Sequence, residues 1–387
     1  LIEEGMDQGL GFEDAFRRMG RQLKGSQAVT ATLQGHGGKI CALRLGYAGG
    51  IVVAHRGGQG IVCSDLPALL PLFRHEPVIS GVSFLDSGEM AVVTREGTSY
   101  WDLDGQPIEK EVRTVSPEDI FIDKGGYRHF MLKEIMEQPQ AVASALRQRV
   151  DFQAGRVDLA DLPLSGKDTK ALNRVVLIGC GTSLHAAQVG RYLVERLAGL
   201  PAEAESASEF RYRGPYIDEH TLVVSIGQSG ETADTVAAMH MVREKDSRLI
   251  TICNVEGSQA TRLAEGALYM RSGIEIGVAS TKTFIASLTT LNLLATYLGQ
   301  ERGFITGDQS RQLVADLSQC PRLVGEMLAE TDIYRHLARR FCTYNDFLFL
   351  GRGMNAPIAL EGALKLKEIS YIHAEGLPAG EMKHGPI

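Results

Sequence analysis

No stretch of this 387-residue chain strings together enough apolar residues to span a membrane, and no secretory signal is visible. No CxxC pair occurs: Cys41, Cys63, Cys180, Cys253, Cys320 and Cys342 lie scattered along the chain. That scatter removes zinc-ribbon and disulfide-scaffold readings and fits core packing in a reducing, cytoplasmic setting. Basic residues are not in excess: 40 Lys and Arg stand against 47 Asp and Glu, a net charge of −7, which argues against a nucleic-acid partner. GxxxxGK[ST] is absent, so a P-loop is excluded. Gly179-Cys180-Gly181 begins like a dinucleotide fingerprint, but Leu184 occupies its third glycine position.

What the chain does have is two short apolar runs that end in small residues and hydroxyls and then open into helical patterns. They are VVLIGCGTS at 175–183 and TLVVSIGQSGETADT at 221–235. Such a junction lies at the carboxyl edge of a strand in an open parallel sheet, where ligands bind. Free N–H groups at a helix start favour an anion, and neighbouring hydroxyls add donors. Neither run contains Lys or Arg. A phosphate held by N–H groups and hydroxyls suits a sugar phosphate better than a nucleoside triphosphate. For one loop alone, a tight strand-to-helix turn without a ligand would be a fair account; two such loops make it a poor one.

Residues 1–24 read as helix, with apolar positions three and four apart. From Ala28 to about Val112, short alternating runs separated by turn signals predict antiparallel strands. Residues 113–130 read as a polar linker, followed by a helix over 131–149 with Pro139 at a break or a start. Then strands at 174–179, 221–226 and 248–253 alternate with helices at 183–199, 231–244 and 280–299, the signature of βαβ units with helices on both sheet faces. Helical residues 308–341 lead to a strand at Phe347–Leu350, and LGRG at 350–353 repeats the context of IGCG at 178–181. The repeat predicts the start of a second α/β domain. Leu1 in place of Met, and the dense polar run ending at Pro386, read as a piece of a longer protein.

Glu361, Lys365 and Glu368 fall at i, i+4 and i+7, on one face of a helix. On spacing alone that face is as well explained by a solvated Glu-to-Lys pair. Ser183 and Thr232 are equally at home as helix caps. His384, in KHGP, by itself reads as a loop histidine.

Taken together, GCGTS at 179–183, ASEFRYR at 207–213, QSGETADT at 228–235, EIGVASTK at 275–282, ALEGALKLKEISYIHAEG at 359–376 and AGEMKHGP at 379–386 resemble successive signatures of one family. YRHFMLKEIMEQP at 127–139 is similar to the segment joining that family's two halves. The family is the isomerizing glutamine–fructose-6-phosphate aminotransferases, or glucosamine-6-phosphate synthases. The GCGTS and QSGET loops are common to sugar-isomerase (SIS) domains; EGALKLKE followed by HAEG and KHGP narrows the match.

The resemblance implies an α/β fold of flavodoxin-like SIS domains preceded by the β-rich back half of an N-terminal-nucleophile glutaminase. It divides the chain into residues 1–115 (glutaminase part), 116–150 (linker and helix), 151–305 (first SIS domain) and 306–387 (helical connection and part of a second SIS domain). It places sugar-phosphate contacts at Thr182, Ser183, Gln228, Ser229, Thr232, Val278 and Ser280. Glu368 would be the proton-transfer base, Lys365 its adjacent cation, and His384 the ring-opening group, acting in a neighbouring subunit's site and so implying a homodimer. The ligands implied are fructose 6-phosphate, glucosamine 6-phosphate and, through a glutaminase nucleophile upstream of Leu1, glutamine; no cofactor and no metal is implied. A Schiff-base lysine would lie beyond Ile387. Gly227 departs from a serine usual in the family, and Ala356 and Leu377 depart from aromatic residues. A stand-alone deaminase or deglycase, or a sugar-phosphate sensor without chemistry, are the competing readings. The β-rich N-terminal part weighs against the first, and the presence of Glu368 and His384 against the second.

Overall fold

The computed structural model describes the whole chain except residues 36–37, 47–49, 57, 65, 73–78, 116–123, 161 and 387. It divides into two compact units, residues 1–123 with 231–233, and residues 124–230 with 234–387.

The first unit opens with two helices, α1 (Ile2–Asp7) and α2 (Phe12–Gln22). The single helix expected over 1–24 is broken because Gly9 turns the chain at φ 91° and Gly11 starts α2 in extended backbone. Eight strands follow: β1 (Gln27–Ala31), β2 (Ile40–Leu45), β3 (Val52–Arg56), β4 (Gln59–Cys63), β5 (Ile79–Phe84), β6 (Glu89–Val93), β7 (Thr98–Asp102) and β8 (Arg113–Val115). They form two antiparallel sheets, β1-β2-β6-β7 and β4-β3-β5-β8. Alternation along the strands supplies two buried faces. Cys41, Leu43, Met90 and Val92 pack with Phe16 and Met19 of α2, while Ala42, Ala91 and Val93 pack with Ile51, Val53 and Leu85 in a second cluster. Residues 113–115, read as linker, instead pair with β5; the remainder of that linker falls partly outside the described residues.

The second unit begins with α3 (Phe130–Met136) and α4 (Gln138–Leu146), broken where Pro139 occupies the first turn of α4. A short hairpin of β9 (Val150–Asp151) and β10 (Arg156–Val157) and helix α5 (Gly166–Ala171) lead into the sheet. Its strands are β11 (Arg174–Gly179), β12 (Ala202–Ser206), β13 (Thr221–Gly227), β14 (Arg248–Cys253) and β15 (Gly266–Tyr269), all parallel in the order β12-β11-β13-β14-β15. Helices α6 (Thr182–Ala198), α7 (Ala207–Arg213), α8 (Ala233–Arg243), α9 (Gln259–Leu263) and α10 (Lys282–Arg302) connect and cover it. One face buries Val175, Leu177, Leu222, Val224, Ile250 and Ile252 with α6 and α10; the other buries Val176, Ile178, Val223 and Leu249 with Phe210, Met239 and Val242. Burial on both sides explains the near-continuous apolar runs. β12 and β15 escaped the sequence reading. β12 is an AEAES edge strand, whose charged alternation gives little strand signal.

Helices α11 (Gly307–Ala329) and α12 (Thr331–Phe341) carry the chain to a second βαβ unit: β16 (Asp346–Gly351), α13 (Asn355–Ser370) and β17 (His373–Pro378). β16 and β17 are parallel. No helix of the described residues is long and apolar enough to cross a membrane.

Candidate functional site

Strand order reverses direction at β11, with β12 on one side and β13 on the other. A crevice at the carboxyl ends of the strands beside that switch is where such sheets bind ligands. Both hydroxyl-rich loops leave the sheet there, since β11 and β13 are neighbours. After β11 the chain turns at Gly181 (φ 56°, ψ −126°), a conformation favouring glycine, and Thr182 opens α6. After β13 it turns at Gly230 (φ 69°), where an added Cβ would lie 2.2 Å from the Ser258 hydroxyl oxygen. Gln228 and Ser229 are half-buried and Thr232 is exposed between β13 and α8. Cys180 Sγ lies 3.8 Å from Thr235 Oγ1, and the Asn254 N–H donates to the Gln228 carbonyl at 3.1 Å. The ends of β11, β13 and β14 are thereby stitched into one edge.

The start of α6 also meets α13. Thr182 Oγ1 donates to Glu361 Oε1 at 2.9 Å, and His185 Nδ1 donates to Glu361 Oε2 at 2.7 Å. Lys365 Nζ reaches Thr182 Oγ1 at 3.2 Å, Glu361 Oε1 at 3.3 Å and Glu368 Oε2 at 2.8 Å. The i, i+4, i+7 spacing does put the three α13 residues on one face. It faces the Thr182 end of α6. Burial raises the Glu361 carboxyl, but the His185 hydrogen bond, the Lys365 charge and the Thr182 hydrogen bond outweigh it and hold the group below the usual carboxylate range. Glu361 therefore stays ionised and holds Lys365.

The third element is the loop before α10. Val278 is 88% exposed, while Ala279 beside it is buried. Ser280 Oγ bonds Thr283 Oγ1 at 2.5 Å. The Glu275 carboxylate accepts from the N–H of Thr281 at 2.7 Å and of Thr283 at 3.3 Å, and from the Thr283 hydroxyl, capping α10. Asn254, at the end of β14, accepts from the Ser272 N–H at 3.0 Å and donates to the Gly273 carbonyl at 2.7 Å, tying the loop to the same sheet edge.

Thr182, Lys365 and Glu368 thus share one hydrogen-bonded network. Ser183, Gln228 and Ser229 stand at adjoining strand ends. His384 does not join them: it is exposed in the turn after β17, where its backbone N–H bonds the Glu381 carbonyl. Sequence reasoning missed His185, which lies three residues past Thr182 and so one turn along α6. Glu361 carries no site role on the family resemblance, yet it lies at the centre of this network. Among the described residues no group of three or more His, Cys, Asp or Glu is placed to hold a metal ion.

Residues 170–297 and 344–387 match the SIS domain family. The chain is 42% identical over 373 residues to a glutamine–fructose-6-phosphate aminotransferase (isomerizing) of Symbiobacterium thermophilum, covering 96% of this chain and 60% of that protein. It is 42% identical over 374 residues to the protein of the same name from Thermus thermophilus, with 97% and 60% covered. Among solved structures, the C-terminal domain of the Francisella tularensis glucosamine-fructose-6-phosphate aminotransferase matches with a TM-score of 0.66 and 37% identity, over 68% of this chain and 74% of that one. The chain spans 60% of the length of these two curated relatives. The SIS match over the parallel sheet and this degree of identity lead to one conclusion: the chain belongs to the glutamine–fructose-6-phosphate aminotransferase family.

Proposed function

We propose that this chain carries the sugar-phosphate-binding part, and part of the isomerase site, of an enzyme that converts fructose 6-phosphate and glutamine into glucosamine 6-phosphate and glutamate. The observation that carries the reading is the continuous network from Thr182, at a phosphate-type helix start, through Glu361 and Lys365 to Glu368. The phosphate is held by the hydroxyls and N–H groups of Thr182, Ser183, Gln228, Ser229 and Thr232, aided by the positive end of α6. The 278–280 loop contacts the sugar, Val278 through its backbone. Amination at C2 leaves a proton to be moved between C1 and C2. Glu368 is the carboxylate that takes and returns it, with Lys365 stabilising its charged form. Glu361 fixes Lys365 in place.

His384, exposed and outside this hydrogen-bonded network, serves best in the site of a second copy, where imidazole can give and take the ring-opening proton near neutral pH. A homodimer follows. Glutamine hydrolysis belongs to a nucleophile outside these residues, and the β-sandwich of the first unit is read as the back half of that glutaminase domain. The six free thiols fit action in the cytoplasm, and the net charge of −7 fits a partner other than nucleic acid. A deaminase or a silent sensor accounts less well for a β-rich first unit and for the paired Glu368 and Lys365.

The test uses this chain joined to flanking segments that match the remaining length of its relatives, with glucosamine 6-phosphate and glutamate followed separately. Gln keeps the shape of Glu but cannot act as a base, so Glu368→Gln should lower amino-sugar formation about 10²–10⁴-fold while sparing glutamine hydrolysis. Amino-sugar formation at near wild-type rate would reduce Glu368 to an exposed helix residue.

A further inference from the structure

The sugar-contacting loop is gripped from outside its own domain sheet. Glu134, on α3, is 2% exposed, and its Oε1 accepts from the N–H groups of Ile276 at 2.6 Å and Gly277 at 3.1 Å. Oε2 accepts from Gly277 N–H as well, at 3.1 Å. Three residues on, Glu137 Oε2 accepts from Lys282 Nζ at 2.7 Å, and Lys282 is itself 5% exposed at the first position of α10. The two carboxylates stand three residues apart and take the two ends of one segment. Between the grips lie Val278, Ala279 and Ser280.

The fit around Gly277 is close. A Cβ there would sit 2.5 Å from Glu134 Oε2 and 3.4 Å from the Met131 Cα, so only glycine lets the backbone approach the carboxylate. A buried carboxylate satisfied by backbone N–H groups is a costly arrangement to leave half-made, since each unpaired partner would be stranded away from water. The bonds also fix a direction. With Ile276 and Gly277 turned toward α3, Val278 is left outward, 88% exposed.

We propose that Glu134 is a positioning residue for the sugar-phosphate reaction, holding the 278–280 loop in its substrate-binding shape through the N–H groups of Ile276 and Gly277, with the Glu137–Lys282 pair anchoring the loop's far end. The proposal rests on the reading that the 278–280 loop contacts the sugar. Glu134 touches no reacting atom; it acts through backbone. Its segment, 127–139, is thereby part of the sugar site as well as a connector.

The test measures fructose 6-phosphate affinity by calorimetry, and amide hydrogen exchange at Ile276 and Gly277, in the wild-type chain and in Glu134→Ala, Glu134→Gln and Ser280→Ala. Glu134→Ala should speed exchange of both amides and weaken sugar-phosphate binding on the order of tenfold, since small misplacements of positioning groups are expensive. Glu134→Gln keeps one acceptor oxygen for Ile276 and should fall between. In the chain extended to the relatives' length, KM should rise with kcat little changed, a split that a general loss of stability would not produce. Weaker binding in Ser280→Ala with wild-type binding in Glu134→Ala would overturn the positioning role and leave the sugar-contact reading standing. Unchanged binding in both Ser280→Ala and Glu134→Ala would overturn both.

Discussion

Glu361 and Glu368 are the same residue type on the same face of α13, one keeping 6% of its side chain exposed and the other 28%. That difference divides the work between them. Glu361 has both oxygens engaged, by Thr182, His185 and Lys365, and has nothing left to offer a substrate. Glu368 shares a single cation and keeps part of its side chain exposed, as the proposed base must. Glu361→Gln places an amide against a donor, so it should lower stability by about 1–3 kcal/mol in urea unfolding; an unchanged midpoint would show the network to be slack. Gly227 lends itself to the opposite experiment. A Cβ there meets nothing closer than the Gly230 nitrogen at 3.9 Å. Gly227→Ser therefore fits, and its hydroxyl should tighten sugar-phosphate binding, a hydrogen bond to a charged group being worth about 1.5–3 kcal/mol before what water already supplies is subtracted. Equal affinities in calorimetry would mean that water or backbone already fills the position. Cys41 is an inert case: burial, with Glu13 nearby, pushes its thiol up to about 12, so it should resist alkylation that modifies exposed Cys342.

Among the elements, the joint between α6 and α13 is held by charge, and its pH response has a definite sign. The folded Glu361 carboxyl sits below its unfolded value of about 4.3, so its contribution is fully present above that pH and lost as pH falls through the folded value. Stability of the chain should decline on acidification in that window, and more gently in Glu361→Gln; identical acid profiles would contradict the assignment. At the α10 start, Glu275→Ala should cost about 0.5–2 kcal/mol by uncapping the helix. The strands and helices that lead to the site were legible in sequence because each central strand is apolar on both faces and each turn carries glycine or a hydroxyl. What was not legible has a common cause. His185, Glu134 and Asn254 act across long sequence separations, on backbone or on a buried partner, and nothing local marks them. β12 was hidden because an edge strand needs less apolar sequence than a central one.

For the whole molecule, the proposed sharing of His384 between copies makes a prediction that no single-chain property could. In a two-fold dimer, a site combines Glu368 of one copy with His384 of the other. Mixing chains bearing Glu368→Gln with chains bearing His384→Ala, each nearly inactive alone, should restore amino-sugar formation. Random pairing gives heterodimers half the time, each with one intact site, so recovery should approach roughly a quarter of wild type. No recovery after verified subunit exchange would place His384 in its own chain's site or outside the reaction.

The strand ends of β11 and β13 are proposed to recognise a phosphorylated sugar through hydroxyls and N–H groups without a Lys or Arg in their loops. Titration calorimetry of the 387-residue chain with fructose 6-phosphate, glucosamine 6-phosphate and plain fructose tests it most directly. Both phosphorylated sugars should bind saturably, more weakly in Ser183→Ala and Ser229→Ala, and fructose should bind far more weakly. Equal affinity for fructose and fructose 6-phosphate would contradict it.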